Sequence, residues 1–169
     1  MKNKIEVFYD YLCPFCYRGL AELNELLTQF PDAQLEWKPC EAHPRPEYAT
    51  VHSDLAIQTE LYLAAHGGDV PKFNRLAFGA NFEEGKRIDD IEFLAQLAAE
   101  CGVSHDDVLK ALRDDAYGAG VLANNELAWD TLGLEAVPSY RCGDEVLGSS
   151  GGVLVPKEKV FAFLEKYGK

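Results

Sequence analysis

Two cysteines, Cys13 and Cys16, flank a Pro-Phe pair in the segment VFYDYLCPFCYRGLAEL, residues 7–23. Cysteines at this spacing can form a redox-active dithiol, supply half of a metal site or close a structural disulfide. The apolar run KIEVFY before them is typical of a buried strand, and Pro14 suits the first position of a helix. The pair is therefore predicted to lie where a strand passes into a helix.

The predicted junction gives the two thiols different chemistry. Cysteine reacts as the thiolate, and the partial positive charge and unpaired N–H groups of a helix N-terminus stabilise an anion. Cys13 occupies that terminus and is predicted to be the attacking thiol. Cys16 lies one turn later, on the apolar stripe of the helix formed with Leu20, Leu23, Leu27 and Phe30. It is therefore predicted to be the resolving thiol that closes the disulfide.

Length and composition limit the remaining choices. With 169 residues, 47% of them hydrophobic, the chain can bury one ordinary core without disulfide support. Five cysteines is an odd number, which argues against a fully paired structural framework. Acidic residues outnumber basic residues by 28 to 16, and the net charge of −12 would repel phosphate backbones. We therefore expect no nucleic-acid partner.

The N-terminal segment MKNKIEVFYDYL contains Glu6 and Asp10 where a secretory signal would need an unbroken apolar stretch. No run of about 18 apolar residues occurs elsewhere. These two features predict no membrane association and a cytoplasmic location.

The order of elements along the chain predicts an α/β protein. Strands are predicted at 4–9, 33–38, 136–142 and 145–148, and the first two, joined by the helix that follows Cys13, form a βαβ unit with parallel strands. Ser53, Asp69, Asp89 and Ser104 are predicted to begin four consecutive helices within 52–116, and further helices are predicted over 117–132 and 156–167. Residues 1–51 and 117–169 are therefore predicted to form one α/β domain, with 52–116 inserted as a helical subdomain.

The combined pattern resembles the DsbA-like thioredoxin family. It consists of strand, Cys-Pro-x-Cys, helix, strand, helical insertion, Val137-Pro138 before a hairpin, and a final helix; DYLCPFCYRG is most similar to the cytoplasmic FrnE-like branch. The resemblance implies a thioredoxin fold, a central mixed sheet flanked by helices, and a thiol-disulfide oxidoreductase or isomerase. It implies no bound cofactor, with glutathione as a candidate redox partner, and a protein, peptide or small-molecule disulfide or thiol as substrate.

The resemblance also implies site roles. Cys13 and Cys16 correspond to the redox pair, Pro138 to a cis-proline that faces them, and Val137 to the residue whose backbone meets the substrate. Tyr11 and Phe15 adjoin the dithiol in sequence and are predicted to line a substrate groove.

Two positions depart from the family pattern. Phe15 replaces the histidine of the strongly oxidising members, and Val7 stands where thioredoxins and DsbA keep a buried acid. A moderate redox couple is therefore predicted, with a Cys13 pKa of roughly 5 to 7 and a potential of roughly −180 to −260 mV.

Cys40 and His43 offer an alternative chemistry. Together with the first pair they form C-x2-C-x23-C-x2-H, four residues of the types that bind zinc. The helical position of Cys16 argues against a zinc site, and no metal is expected. Because parallel strands end at the same sheet edge, Cys40 is predicted to lie near that edge as an incidental, partly buried thiol.

A non-redox use of the same fold is a further alternative. Kappa glutathione transferases and hydroxychromene-carboxylate isomerases resemble this architecture, but they usually have serine at the position of Cys13. The presence of two thiols favours redox chemistry. Cys101 lies on an apolar helix stripe and is predicted to be a core residue, whereas Cys142 is predicted to be a free thiol.

Overall fold

The computed structural model describes residues 3–169, which divide into two compact units. The first unit comprises the segment up to Ala42 together with Leu127–Lys169, and the second is His43–Glu126. The predicted insertion, 52–116, lies within the second unit. That this segment is an inserted subdomain remains a prediction.

The first unit contains a mixed four-stranded sheet. Its strands β1 to β4 span Ile5–Tyr9, Leu35–Pro39, Ser139–Cys142 and Glu145–Gly148. Their spatial order is β2-β1-β3-β4, with β1 parallel to β2 and antiparallel to β3. The central strand β1 is buried from Val7 to Tyr9, as its apolar sequence requires. The α/β class and the mixed sheet predicted from the sequence are confirmed.

Seven α-helices, α1 to α7, span Pro14–Leu27, Asp54–Ala65, Val70–Phe82, Ile91–Glu100, His105–Arg113, Gly118–Asn125 and Lys157–Tyr167 in the described residues. Helix α1 connects the two parallel strands and packs against α7. Its predicted stripe is correct at Cys16, Leu20 and Leu23, but Leu26 is buried in place of Leu27. A short π-helix, Glu126–Thr131, follows α6. The prediction of a single helix over 117–132 missed this change of helix type.

The second unit consists of α2 to α6, and side-chain caps define several of its helix starts. Asp69 accepts from the Lys72 N–H at 3.1 Å, and Ser104 accepts from the Asp107 N–H at 3.3 Å. Helix α4 is capped by Asp90. The prediction of Asp89 as the start of this helix was wrong by one residue.

Asp89 does not cap α4 because its carboxylate binds the Arg87 guanidinium at 2.6 Å. Within residues 3–169, no helix combines the length and the apolar character needed to cross a membrane.

Candidate active site at the strand-to-helix junction

Cys13 is the N-cap of α1. Its backbone is extended, with φ −88° and ψ 118°, and its Sγ accepts the Cys16 N–H at 3.4 Å. Pro14 occupies the first turn, where an N–H group would have no hydrogen-bond partner within the helix, so its absence costs nothing. The thiol is half-buried. The local sequence thus holds a reactive sulfur where a helix ordinarily has a capping oxygen.

The surroundings of Cys13 stabilise its thiolate. Hydrogen bonds from the Cys16 thiol, and then from the backbone N–H groups of Cys16 and Phe15, lower the pKa of Cys13 from 9.0 to about 7. Burial and the negative charge of Asp10 oppose this shift. This pKa of Cys13 lies at the upper end of the range of roughly 5 to 7 expected from sequence. About half of the Cys13 side chains are therefore ionised near neutral pH.

Cys16 has the opposite environment. Its side chain is 0% exposed, and its Sγ accepts the Asp10 N–H at 3.4 Å. Burial raises the pKa of Cys16 well above its ordinary value, and the hydrogen bond and charge of Cys13 raise it further. Both cysteines are free thiols. At neutral pH the pair therefore consists of one partly ionised, accessible sulfur and one protonated, buried sulfur.

The segment Val137–Pro138 approaches the dithiol. The Val137–Pro138 peptide bond is cis, and the Val137 carbonyl oxygen lies 3.7 Å from Cys13 Sγ, so it can accept from the protonated thiol. The buried Pro138 ring lies against α1 at Gly19. A methyl group built on Gly19 would lie 2.8 Å from Pro138 Cγ and 3.2 Å from Leu154 Cδ1. The close approach of this segment therefore requires glycine at position 19.

The two predicted groove residues differ. Phe15, in the first turn of α1, is partly exposed and can meet another molecule. Tyr11 is 0% exposed, and its ring packs edge-to-face on Tyr9 with 5.6 Å between centroids. The prediction that the Tyr11 side chain lines an open groove is corrected, because the ring is used in packing.

Asp10 is a site residue that sequence reasoning missed. Its carboxylate is 3% exposed and accepts the N–H groups of Leu12 at 2.9 Å and Ala42 at 2.8 Å. The only signal in the sequence was an acid within the apolar run FYDYL, two residues before the end of that run. Although Val7 stands where related proteins have an acid, the site does contain a buried carboxylate.

The other three cysteines are buried free thiols. Cys40 follows β2 and donates its N–H to the Tyr9 carbonyl at 2.8 Å. Burial, followed by the charge of Asp10, raises the pKa of Cys40, and the charge of Cys13 also contributes. Cys40 thus belongs to the surroundings of the dithiol, fully buried where partial burial was expected.

The predicted zinc pattern has no counterpart in the described residues. Residues 3–169 contain no group of three or more His, Cys, Asp or Glu side chains arranged to hold a metal ion. His43 instead pairs with Glu47, with 2.7 Å between Nδ1 and Oε1.

Comparison with known proteins assigns the family. The model of the DsbA-like thioredoxin domain matches residues 4–167, nearly the whole chain. The chain belongs to the DsbA-like thioredoxin domain family. The predicted resemblance to this family is confirmed, and with it the thioredoxin fold.

Several individual proteins are similar to this DsbA-like chain. The uncharacterised protein YwbO of Bacillus subtilis is 26% identical, over 90% of this chain and 92% of its own. Two solved structures share the fold. BdbD of Bacillus subtilis, in its oxidised form, has a TM-score of 0.75 at 16% identity, covering 98% of this chain and 87% of its own. The cytosolic disulfide reductase DsbM of Pseudomonas aeruginosa has a TM-score of 0.73 at 20% identity, covering 96% and 98%.

Proposed function

We propose that this protein is a thiol-disulfide oxidoreductase that uses Cys13 as the attacking thiol and Cys16 as the resolving thiol. The observation that carries the proposal is the asymmetry of the pair, in a chain of the DsbA-like family. Cys13 caps a helix with its pKa lowered to about 7, whereas Cys16 is fully buried with a raised pKa. One sulfur can attack a substrate while the other remains protected until the mixed disulfide has formed.

The reaction proceeds in two exchanges. The Cys13 thiolate attacks one sulfur of a substrate disulfide, forms a mixed disulfide and releases the other substrate sulfur as a thiolate, which takes up a proton. Cys16 then loses its proton and attacks Cys13 Sγ, which forms the Cys13–Cys16 disulfide and releases the second substrate thiolate. The substrate gains two electrons and the protein dithiol loses two. The same steps in reverse donate a disulfide.

Three further residues support substrate binding in this proposal. The Val137 backbone, whose carbonyl lies 3.7 Å from Cys13 Sγ, would pair with an extended substrate chain, and Pro138 would fix the position of that backbone. The partly exposed ring of Phe15 would contact an apolar side chain next to the substrate disulfide. A peptide or protein disulfide can use all three contacts.

The direction of exchange proposed here is reduction or isomerisation. A thiolate pKa near 7 resembles that of a reducing thioredoxin more than that of a strong oxidant. Glutathione is the proposed electron partner and the cytoplasm the proposed location. One structural neighbour is a cytosolic disulfide reductase, and it has also been solved with glutathione. No bound cofactor is needed, because the electrons reside in the two thiols.

The proposal is tested by trapping the intermediate. A Cys16→Ser variant, mixed with a peptide disulfide, lacks the thiol that releases the substrate and should accumulate a mixed disulfide on Cys13. Peptide mapping by mass spectrometry identifies the modified sulfur. The wild-type protein should instead turn over the same peptide with glutathione as reductant.

Matched controls define the result. A Cys101→Ser variant should behave as wild type, because Cys101 is a buried thiol of the second unit and lies outside the proposed exchange. A Cys16→Ser protein that carries no adduct on Cys13, together with a wild-type protein that does not turn over the peptide, would refute the proposed function.

A further inference from the structure

Asp10 contacts both cysteines of the pair through its backbone. Its carbonyl accepts the Cys13 N–H at 3.1 Å, and its own N–H donates to Cys16 Sγ at 3.4 Å. Its carboxylate accepts from the N–H groups of Leu12 and Ala42 at 2.9 and 2.8 Å. One residue therefore links the two thiols to the segment that follows β2.

The carboxylate is also a buried charge. Asp10 is only 3% exposed, so water screens it less than it screens a surface carboxylate. Its carboxylate oxygens face the backbone N–H groups of Leu12 and Ala42. The negative charge consequently acts on every thiol nearby.

Its negative charge raises the pKa of all three neighbouring thiols, ranking fifth among the influences on Cys13 and Cys16 and second at Cys40. Hydrogen bonding to Cys16 lowers the pKa of Cys13, whereas burial and the charge of Asp10 raise it. Burial raises the pKa of Cys16, and Cys13 and Asp10 add to this shift. At Cys40, burial comes first and Asp10 second, and Glu41 contributes a further negative charge.

A negative charge at this position affects the two redox states unequally. The reduced protein carries a thiolate on Cys13 in about half of the molecules near pH 7, whereas the disulfide is neutral. Repulsion between Asp10 and the thiolate therefore destabilises the reduced state alone. A less stable reduced state corresponds to a more reducing couple.

We propose that Asp10 is a positioning residue that fixes both cysteines and, through its buried negative charge, keeps the Cys13–Cys16 couple reducing. The inference deepens the proposed function and rests on it, because the couple must exchange disulfides for its potential to matter. Asp10 neither attacks nor binds the substrate. It acts through the two sulfurs.

The test is equilibration with glutathione, in which one protein disulfide and two glutathione thiols exchange for the protein dithiol and one glutathione disulfide. Asp10→Asn removes the charge and keeps the side-chain size. The Cys13 pKa, measured from thiolate absorbance against pH, should fall. The equilibrium constant for reduction of the protein disulfide should rise about twofold, about 10 mV toward a more oxidising couple.

Three further variants separate charge from structure. Asp10→Glu retains the charge and should leave the equilibrium constant at the wild-type value. Asp10→Ser is a second neutral variant and should shift it in the same direction as Asp10→Asn. Asp90→Asn changes a carboxylate of the helical unit that also accepts two backbone N–H groups, and it should leave the equilibrium unchanged.

Opposite outcomes overturn the inference. Loss of positioning alone would weaken the hydrogen bonds to Cys13 and raise its pKa, so a raised or unchanged Cys13 pKa in folded neutral variants contradicts the role of charge. If neither neutral variant folds, Asp10 serves stability and the proposal also falls. A wild-type protein that forms no Cys13–Cys16 disulfide in any glutathione buffer would instead refute the proposed function itself.

Discussion

The N-terminus of α1 and the helix starts of the second unit use one geometry for two purposes. At α5, the Ser104 hydroxyl accepts the N–H of the residue three positions later, at 3.3 Å. At α1, the Cys13 sulfur does the same at 3.4 Å. The Ser104 hydroxyl stabilises the helix that it caps. At α1 the helix N-terminus stabilises the thiolate of the capping cysteine. Under the proposed function, the two caps differ by one atom, and that atom separates a structural cap from a nucleophile.

The largest effect on disulfide exchange is expected when the sulfur cap at Cys13 is replaced by an oxygen cap. Cys13→Ser should abolish disulfide exchange, because serine cannot form a mixed disulfide. At pH 7 the free energy of unfolding should change by no more than about 1 kcal/mol, since serine is a preferred N-cap. A disulfide-peptide assay and urea denaturation measure the two quantities. Cys101→Ala, which removes a buried thiol of the helical unit, should retain full exchange. Residual exchange in Cys13→Ser would contradict the assignment.

The second prediction concerns the segment that faces the sulfur cap. Gly19→Ala places a methyl group against Pro138 and Leu154, so the Val137 backbone must shift. Exchange with a peptide disulfide should fall roughly 10- to 100-fold, the range in which misplacement by about 1 Å acts. Alkylation of Cys13 by iodoacetamide should stay unchanged, because it requires only the thiolate.

Gly79→Ala is the matched control for this change. It also lies inside a helix, but its new methyl group meets only the flexible Glu83 carboxylate, 3.0 Å away. Its peptide exchange should equal that of wild type. Equal exchange by the Gly19 and Gly79 variants would show that the spacing between α1 and Pro138 does not matter.

A smaller effect is expected at the oxygen cap. Ser104→Ala leaves the Asp107 N–H without its side-chain partner, and the free energy of unfolding should fall by about 1 kcal/mol. Ser104→Thr keeps the cap and should recover most of this loss. Disulfide exchange should be unaffected in both variants. A loss of exchange in Ser104→Ala would remove the distinction between structural and reactive caps.

A further prediction concerns the pH dependence of stability. Because the fold lowers the pKa of Cys13 from 9.0 to about 7, the stabilisation from its thiolate is fully present above pH 9 and is lost as the pH falls through 7. Unfolding free energy of the reduced wild-type protein, minus that of Cys13→Ser, should therefore increase from pH 7 to pH 9. Parallel profiles for the two proteins would mean that the fold does not stabilise the thiolate.

Local sequence signals predicted much of the fold. Pro14, the apolar run of β1 and the stripe of α1 are short-range features, and they placed Cys13 at a helix terminus and Cys16 on its buried face. Caps such as Asp69 and Ser104 are equally local. The long-range pairing of β1 with β3 and the position of Pro138 came from the resemblance to the family, since no local pattern specifies them.

The missed features depend on tertiary contacts. Asp10 lies in an apolar run, where periodicity alone predicts an exposed interruption, and the N–H group of Ala42, 32 positions later, is one of the partners of its buried carboxylate. Tyr11 adjoins the dithiol in sequence, yet its ring turns to Tyr9. Asp89 and Asp90 are equally suitable caps by sequence, but the Asp89 carboxylate forms an ion pair with Arg87. The deciding partner is distant in sequence only for Asp10. For Tyr11 and Asp89 it lies two positions away.

The most direct test of the account is site-resolved alkylation of the reduced protein with iodoacetamide between pH 5 and pH 9. Because the Cys13 thiolate is capped by α1 and partly accessible, Cys13 should react first at every pH, with a midpoint near its pKa of about 7. Cys16, Cys40 and Cys101 should stay unmodified over the same period, because burial protects them. A Cys13 midpoint near 9, or labelling of Cys13 no faster than that of Cys101, would contradict the central claim that α1 activates this thiol.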